Sequence, residues 1–133
     1  MNTEYVVGDL MTIEPVVTSA DARVEDAIRL IETYQISGLP VVDDAGRLVG
    51  VISQTDLVRL GDEPRVSPRR RRALRVADVM STPPITVERL TRLSDAARLM
   101  HDRHVHRVVA IDDVGRPVGV LSSMDFVALY AEG

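Results

Sequence analysis

The chain has 133 residues and a formal net charge of −4, with 45% hydrophobic and 27% charged residues. This length and balance are typical of a globular domain with a core of its own, and they exclude a disordered chain. Because the sequence contains no cysteine, they also exclude a disulfide framework, a thiolate nucleophile and a cysteine metal site.

The sequence gives no sign of export or membrane insertion. No apolar run approaches the roughly 20 residues that span a bilayer. The first five residues, Met1 to Tyr5, contain neither a basic nor an apolar stretch. We therefore expect a complete, cytoplasmic protein that does not associate with membranes.

Charge is distributed unevenly along the chain. Residues 61–75 carry six arginines against two acids, a net charge of +4, whereas the remainder carries a net charge of −8. An acidic body with a basic connector is not the charge pattern of a nucleic-acid-binding domain. Two prolines and the charge run indicate that this segment is a surface connector.

The chain contains one segment twice. Residues 7–60 align with residues 76–129 at a constant offset of 69 positions, without a gap. A repeat of this length is one supersecondary unit used twice, and neither copy need bury its apolar face alone. We therefore predict a first repeat at 7–60, a basic linker at 61–75 and a second repeat at 76–130. The repeats should pack with pseudo-twofold symmetry into one module with two related clefts.

Each copy begins with a helical turn, at 7–11 and 76–80, and a short apolar strand, at 16–18 and 85–87. An amphipathic helix follows, because apolar residues recur at the i, i+3, i+4, i+7 spacing of one helix face. These residues are Val24, Ala27, Ile28 and Ile31 in the first copy and Leu93, Ala96, Ala97 and Met100 in the second.

The rest of each copy is a hairpin and a helix. In the first copy, two apolar runs, 39–42 and 48–52, flank the turn sequence Asp-Asp-Ala-Gly, and a helix is predicted over 53–60. The second copy repeats this pattern with strands at 108–111 and 118–121 and a helix over 122–130. The order β-α-β-β-α in each copy predicts a mixed fold, α/β in the broad sense and α+β in detail.

A Ser-x-x-Asp motif opens the last helix of each copy, at Ser53–Asp56 and Ser122–Asp125. One interpretation is a capping box, in which serine and acid each satisfy a backbone N–H group at the helix start. The other uses the same geometry for a ligand. The helix start and the serine hydroxyl suit a phosphate, and the carboxylate suits the two hydroxyls of a ribose.

A basic cluster, His104-Val105-His106-Arg107, closes the long helix of the second copy. Cations near a helix C-terminus interact favourably with its dipole. No acid or further histidine keeps metal-ligand spacing with this cluster, so no metal site is predicted. Because the chain also lacks a thiol and a nucleophile–histidine–acid grouping, we predict no enzyme activity, no catalytic residues and no cofactor.

The element order, together with Gly-hydrophobic-hydrophobic-Ser-x-x-Asp at 50–56 and 119–125, resembles the cystathionine beta-synthase (CBS) domain. The duplication resembles the stand-alone tandem pair called a Bateman module, and the resemblance covers nearly the whole chain. It implies a regulatory, energy-sensing protein that binds AMP, ADP, ATP or S-adenosylmethionine between its repeats and modulates an unidentified partner protein. It also implies a homodimer formed through helices.

The resemblance assigns roles to the motifs. Asp56 and Asp125 would each hold a ribose, with Ser53 and Ser122 as further ligand contacts. The pair at 106–107 would contact the phosphate of the nucleotide whose ribose lies on Asp56.

The counterpart of His106 and Arg107 in the first copy is Ser37 and Gly38, which offers a hydroxyl and backbone but no charge. The two clefts should therefore be unequal. The cleft with Arg107 should prefer phosphate, and the other should be weaker, hold a less charged ligand or stay empty.

Two threonines complete the predicted sites. Thr18 and Thr86 lie in the first strand of each copy, near the position that the family uses for the adenine edge. Thr12 and Ser81, each placed after a methionine, are similar candidates.

Two other functions stay open at this point. One is a structural or interaction module whose clefts hold no ligand. The other, less favoured, is nucleic-acid binding through the run Arg69–Arg72. No aromatic residue interleaves that run to stack a base, and a solvated linker explains it.

Overall fold

The computed structural model of the protein describes residues 5–13, 15–61 and 67–132. Its helices are α1 (Val7–Leu10), α2 (Val24–Tyr34), α3 (Gln54–Gly61), α4 (Pro68–Ala73), α5 (Val76–Val79), α6 (Leu93–Arg103) and α7 (Ser123–Glu132). Its strands are β1 (Thr12–Ile13), β2 (Thr18–Ser19), β3 (Gly38–Val42), β4 (Leu48–Ser53), β5 (Thr86–Val87), β6 (Arg107–Ile111) and β7 (Pro117–Ser122).

The predicted element order is confirmed in both copies. It appears as β2-α2-β3-β4-α3 in the first and β5-α6-β6-β7-α7 in the second. The fold is therefore a mixed α and β fold, as predicted. The chain divides into two compact units. The central unit consists of residues 16–84, and the outer unit joins the described residues up to Pro15 with those from Ile85 onwards.

The central unit is built on the three-stranded sheet β2-β3-β4. Strand β2 is parallel to β3, and β3 is antiparallel to β4. Helix α2 packs Ala27 and Ile31 into the core of this sheet and also buries Val24, whereas Ile28 is 36% exposed. The apolar face of this helix is thus narrower than its sequence spacing predicts.

The outer unit contains a four-stranded sheet in the order β1-β7-β6-β5. Strand β1 comes from the start of the chain and pairs antiparallel with β7, with Thr12 opposite Val120. Val7 and Met11 lie buried in the same core as Leu93 and Leu121. Residues 7–13 of the first repeat therefore complete a sheet and core that belong otherwise to the second repeat.

The central unit is completed in the same way by the start of the second repeat. Ser81 and Val51 exchange backbone hydrogen bonds, from the Val51 N–H to the Ser81 carbonyl at 3.0 Å and in the reverse direction at 2.8 Å. Val76 is fully buried in the core of the central unit. A free strand edge presents unpaired N–H and C=O groups, and this pairing satisfies them. The compact units and the sequence repeats are thus different divisions of the chain.

Both predicted hairpin turns are present and are closed by an aspartate. Asp43 Oδ1 accepts hydrogen bonds from the backbone N–H groups of Ala45 at 2.9 Å and Arg47 at 3.0 Å. Asp112 Oδ1 accepts the corresponding bonds in the second hairpin, at 3.0 Å and 2.9 Å. The glycine three residues after each aspartate has a positive φ, 79° in one turn and 87° in the other, which glycine adopts readily.

The structure also differs from the sequence predictions in the connector, at the end of α6 and in the first strand of each copy. Helix α4 lies within the predicted connector; the Ser67 hydroxyl caps it by accepting the Arg70 N–H at 3.1 Å, and Pro68 occupies its first turn. Residues 62–66 of that connector lie outside the described residues.

Helix α6 ends at Arg103, because His104 adopts the left-handed conformation with φ 55°, and Arg107 opens β6 instead of closing the helix. Finally, the first strand of each copy begins later than predicted, at Thr18 and Thr86.

Candidate functional site

The Asp56 carboxylate lies at the start of α3 and is only 6% exposed. Its Oδ2 accepts hydrogen bonds from the Ser53 backbone N–H at 2.9 Å and the Ser53 hydroxyl at 3.0 Å. Its Oδ1 accepts a third hydrogen bond, at 2.7 Å, from the Ser81 hydroxyl. Three donors therefore satisfy a carboxylate that burial would otherwise destabilise.

Ser53 and Asp56 form the capping box that the sequence predicts. The Ser53 N–H donates to the Asp56 carboxylate, and the Asp56 N–H donates to the Ser53 hydroxyl at 3.3 Å. Strand β4 delivers Ser53 to this position because it runs directly into α3. The capping interpretation is confirmed, and the ligand interpretation of the same residues stays a prediction.

Gly50 allows Ser81 to approach Asp56. A Cβ atom on Gly50 would lie 2.7 Å from Met80 Sδ and 2.9 Å from the Ser81 carbonyl oxygen, both closer than real Cβ contacts. The glycine of the Gly-hydrophobic-hydrophobic-Ser-x-x-Asp motif is thus explained by packing. It leaves room for the segment that carries Ser81.

The Asp125 carboxylate has fewer partners than Asp56. It is half-buried, and its Oδ2 accepts hydrogen bonds from the Ser122 N–H at 2.7 Å and the Ser122 hydroxyl at 3.3 Å. Thr12 stands opposite Val120 as Ser81 stands opposite Val51. Within the described ranges, however, no hydrogen bond joins Thr12 to Asp125. Asp125 also borders a cavity of about 320 Å³ whose walls include Tyr5, Leu10 and Leu129.

Arg107 is a half-buried cation on β6, directly opposite Ser122. Burial lowers the pKa of the Arg107 guanidinium, which still carries its charge at neutral pH. The ion pairs of the described chain join Arg23 to Glu25, Arg29 to Asp26 and His101 to Asp102. None of them involves Arg107. A partly desolvated guanidinium without a carboxylate partner is suited to an anionic ligand.

His106, and its counterparts Ser37 and Gly38 in the first copy, are held by hydrogen bonds of their backbone. The His106 carbonyl accepts the Ser123 N–H at 2.8 Å and the Ser123 hydroxyl at 3.2 Å, while the imidazole of His106 is exposed. In the central unit, the Ser37 carbonyl accepts the Gln54 N–H at 2.9 Å, and Gly38 pairs with Ser53. In each unit, the residue just before the strand therefore accepts a hydrogen bond from the first residue of the helix that carries the aspartate.

The structure thus groups the predicted site residues by unit. The central unit brings Ser37, Gly38, Ser53 and Asp56 together, and the outer unit brings together His106, Arg107, Ser122 and Asp125. The predicted pairing of Arg107 with Asp56 joins residues of different units and stays a prediction.

The two threonines lie in other strands. Thr18 is 5% exposed on β2 opposite Val41, and Thr86 lies on β5 opposite Val109. In the central sheet, β3 separates Thr18 from the strand that leads into Ser53. Their predicted contact with an adenine ring stays a prediction.

Sequence reasoning missed the hydrogen bond between Ser81 and Asp56. The two residues are 25 positions apart and belong to different repeats, so neither spacing nor periodicity links them. The repeat offset of 69 positions aligns Ser81 with Thr12 and gives no relation between Ser81 and Asp56. Pairing of Ser81 with Val51 in the folded chain creates the contact.

The described residues contain neither a cluster of metal ligands nor a helix that could cross a membrane. No group of three or more histidine, cysteine, aspartate or glutamate side chains within these residues is arranged to hold a metal ion. Nor does any helix within them have both the length and the apolar character needed to cross a membrane.

Comparison with known proteins gives a consistent result. The family model of the CBS domain matches residues 7–63 and 76–132. The fold is similar to the crystal structure of CBSX2 in complex with AMP, with a TM-score of 0.84 and 34% sequence identity over 96% of this chain and 97% of that chain. It is also similar to the CBS domain pair of protein MJ0100 in complex with 5′-methylthioadenosine and S-adenosylmethionine, with a TM-score of 0.84. At 23% identity, that likeness concerns the fold.

Two curated relatives are longer than this chain. Inosine-5′-monophosphate dehydrogenase of Methanocaldococcus jannaschii is 32% identical over 124 residues, which cover 93% of this chain and 22% of the dehydrogenase. The chloroplastic CBS domain-containing protein CBSX2 of Arabidopsis thaliana is 30% identical over an alignment of 149 positions, gaps included, that covers 91% of this chain and 61% of that protein. The chain therefore spans about a fifth of one relative and three fifths of the other.

Proposed function

Because the chain belongs to the CBS domain family and carries that domain twice, we propose that it is a regulatory module that binds an adenosine-containing ligand and modulates a partner protein. The similarity to CBSX2 in complex with AMP carries this proposal, because it covers 97% of that chain at 34% identity. The candidate ligands are AMP, ADP, ATP and S-adenosylmethionine. Each acts as a regulatory ligand and not as a cofactor.

The chemistry of the two aspartates supports such a ligand. Each carboxylate lies at the start of a helix, where its oxygens can accept hydrogen bonds from the two hydroxyls of a ribose. Arg107 supplies a partly buried cation without a carboxylate partner in the described chain, which suits a phosphate group. Recognition of a nucleotide needs a group that accepts hydrogen bonds from the ribose hydroxyls and a group that donates hydrogen bonds to the phosphate. The aspartates and Arg107 are groups of these two kinds.

We propose that the ligand sites draw on both repeats. The first combines Asp56 and Ser53 with the basic pair at 106–107. The second combines Asp125 and Ser122 with the uncharged pair at 37–38. Thr18 and Thr86 are proposed at the adenine edges. Only the first site includes a guanidinium, so it should favour phosphorylated ligands over uncharged nucleosides.

The proposed mechanism is a difference in affinity. A ligand that contacts both repeats stabilises the arrangement in which its contacts are made, and a partner protein responds to that arrangement. We propose no catalytic activity for these residues. The similarity to the dehydrogenase covers 22% of that enzyme, so most of the enzyme has no counterpart in these 133 residues.

We also propose a homodimer formed through helices. Helix α7 exposes Met124, Val127 and Tyr130 at 69%, 54% and 66%, one helical turn apart. An apolar row of this kind is typical of a protein–protein contact. Sedimentation velocity of the purified protein measures the oligomeric state, and a monomer at micromolar concentration would contradict this part of the proposal.

Isothermal titration calorimetry tests ligand binding. The protein is first shown by mass spectrometry to be free of nucleotide and is then titrated with AMP, ADP, ATP and S-adenosylmethionine. We expect saturable heat with at least one ligand. Asp56→Ala and Asp125→Ala should each remove one class of site, because each deletes the carboxylate that accepts the ribose hydroxyls.

Arg107→Ala tests the phosphate contact. It should weaken AMP binding at least tenfold and leave adenosine binding nearly unchanged, because adenosine has no phosphate. Arg98→Ala removes an exposed arginine of α6 and serves as the matched control. Absence of heat with all four ligands would reject the ligand-binding proposal and favour an interaction module without a ligand.

A further inference from the structure

We infer that the Ser81 hydroxyl competes with the ligand for the Asp56 carboxylate and so sets the affinity of that site. This inference rests on the proposed function and deepens it, since it names a residue that controls one of the two sites. It concerns residues of the central unit alone.

Asp56 has a limited capacity to accept hydrogen bonds. An ionised carboxylate offers about four lone-pair positions, two on each oxygen. Ser53 supplies two donors to Oδ2, and Ser81 supplies one donor to Oδ1. A ribose that presents two neighbouring hydroxyls needs two acceptor positions, and only one is left. One existing donor must therefore leave before both ribose hydroxyls can bind.

Ser81 is the donor that leaves. The two bonds from Ser53 belong to the capping box, and losing them would also disrupt the start of α3. The Ser81 hydroxyl does not cap a helix. Rotation about the Ser81 χ1 angle is enough to withdraw the hydroxyl from Asp56 Oδ1. Its distance of 2.7 Å is that of a charge-assisted hydrogen bond, so withdrawing it carries a free-energy cost.

The backbone around Ser81 is fixed by hydrogen bonds. The Ser81 N–H and carbonyl both pair with Val51, and the Thr82 hydroxyl donates to the Val49 carbonyl at 3.1 Å. The segment therefore returns the Ser81 hydroxyl to Asp56 whenever no ligand is bound. With that contact in place, Asp56 is 6% exposed.

Asp125 provides the internal reference. In the described chain its Oδ1 accepts no hydrogen bond, although Thr12 occupies the position that corresponds to Ser81. The two sites thus differ in the availability of their carboxylates as well as in charge. Ser81 raises the ligand concentration at which the Asp56 site fills.

The test isolates the Asp56 site by working in an Asp125→Ala background. AMP is titrated calorimetrically into that variant and into the same variant carrying Ser81→Ala. Removing the hydroxyl should increase AMP affinity about fivefold, the value expected for release from one competing hydrogen bond. Ser81→Thr keeps the hydroxyl and should leave the affinity within twofold of the parent. Thr12→Ala, made in an Asp56→Ala background, should not increase AMP affinity.

The outcomes separate this inference from the proposed function. Binding by the parent protein decides the proposed function. Tighter binding after Ser81→Ala, including binding gained where the Asp125→Ala parent shows none, supports competition by Ser81. Unchanged, weaker or absent binding after Ser81→Ala overturns it, because Ser81 would then support the ligand or have no influence. Thermal unfolding verifies that each variant is folded, and Ser81→Cys, whose thiol is a weak donor, replaces Ser81→Ala if alanine prevents folding.

Discussion

Asp56 and Asp125 occupy the same position of the same motif, yet their surroundings differ. Asp56 is buried and accepts three hydrogen bonds, whereas Asp125 is half-buried and accepts two. The extra donor on Asp56 is Ser81. The difference between the two aspartates thus comes from one hydroxyl, and it has consequences for both stability and binding.

Replacing each aspartate with alanine should therefore have unequal effects on stability. Asp56→Ala should lower the free energy of unfolding by about 2 kcal/mol, because it leaves the half-buried donors of Ser53 without their acceptor and also removes the hydrogen bond from Ser81. Asp125→Ala should cost about 1 kcal/mol, the usual value for a lost cap. Urea unfolding followed by circular dichroism measures both, and equal losses would argue against the three-donor arrangement.

Asp112 provides a prediction about pH. The pKa of the Asp112 carboxyl lies below the ordinary 3.8, mainly because the Arg116 N–H donates to it; desolvation opposes this effect, and the Val114 N–H adds a smaller lowering. A group with a lowered pKa in the folded state stabilises the fold above its unfolded pKa, and that stabilisation is lost as the pH falls through the folded pKa. Between pH 5 and pH 2 the stability of Asp112→Ala should fall less steeply than that of the parent. Parallel pH profiles for the two proteins would contradict this.

At the scale of elements, the segment after α5 is what completes the site. It pairs through Ser81 with Val51 at the edge of β4, and Gly50 gives it the space to do so. The sheet edge, the glycine and the Ser81 hydroxyl act as one arrangement. A change that displaces the segment should therefore affect the Asp56 contact as well.

Gly50→Ala tests this arrangement. The new Cβ would lie 2.9 Å from the Ser81 carbonyl oxygen, a backbone atom that cannot move aside without breaking its pairing with Val51. We expect a loss of about 1–3 kcal/mol in the free energy of unfolding, as for other overpacked sites. Gly61→Ala is the matched control, because nothing lies within 4 Å of the Cβ added there. A Gly50 variant as stable as the Gly61 variant would show that the segment is not held closely against β4.

At the scale of the whole molecule, the two repeats exchange their opening segments. Residues that begin the first repeat complete the outer unit, and residues that begin the second repeat complete the central unit. Each unit therefore depends on sequence from both repeats. This connection gives a physical reason to expect that neither repeat is stable as a separate fragment.

Met11→Ala tests the exchange in the intact chain. Met11 is 8% exposed in the core of the outer unit, and removing its side chain should cost about 2–4 kcal/mol. Ile13→Ala, at a position that is 64% exposed, should cost less than about 0.5 kcal/mol. Hydrogen exchange locates the loss. Amides of β7 should exchange faster in Met11→Ala while those of β4 are unaffected, and the reverse pattern would assign Met11 to the repeat that contains it in sequence.

The sequence by itself determined the repeat, the β-α-β-β-α order, the hairpin turns and the capping box of Ser53 with Asp56, because each depends on residues close together in the chain. The spacing of Ser53 and Asp56 is enough to predict a cap, and Asp112 with Gly115 is enough to predict a turn. Helix α4 was not predicted, because four adjacent arginines give no apolar periodicity. Ser67 and Pro68 are nevertheless residue types that favour a helix start.

Only the tertiary structure decided which strand edge each opening segment joins, that Ile28 stays exposed, and that Ser81 donates to Asp56. The physical reason is common to all three. A strand edge or a half-covered helix face is compatible with several partners, and pairing and packing across tens of residues select one. Ser81 reaches Asp56 because its backbone pairs with Val51, an interaction that no local pattern of the chain encodes.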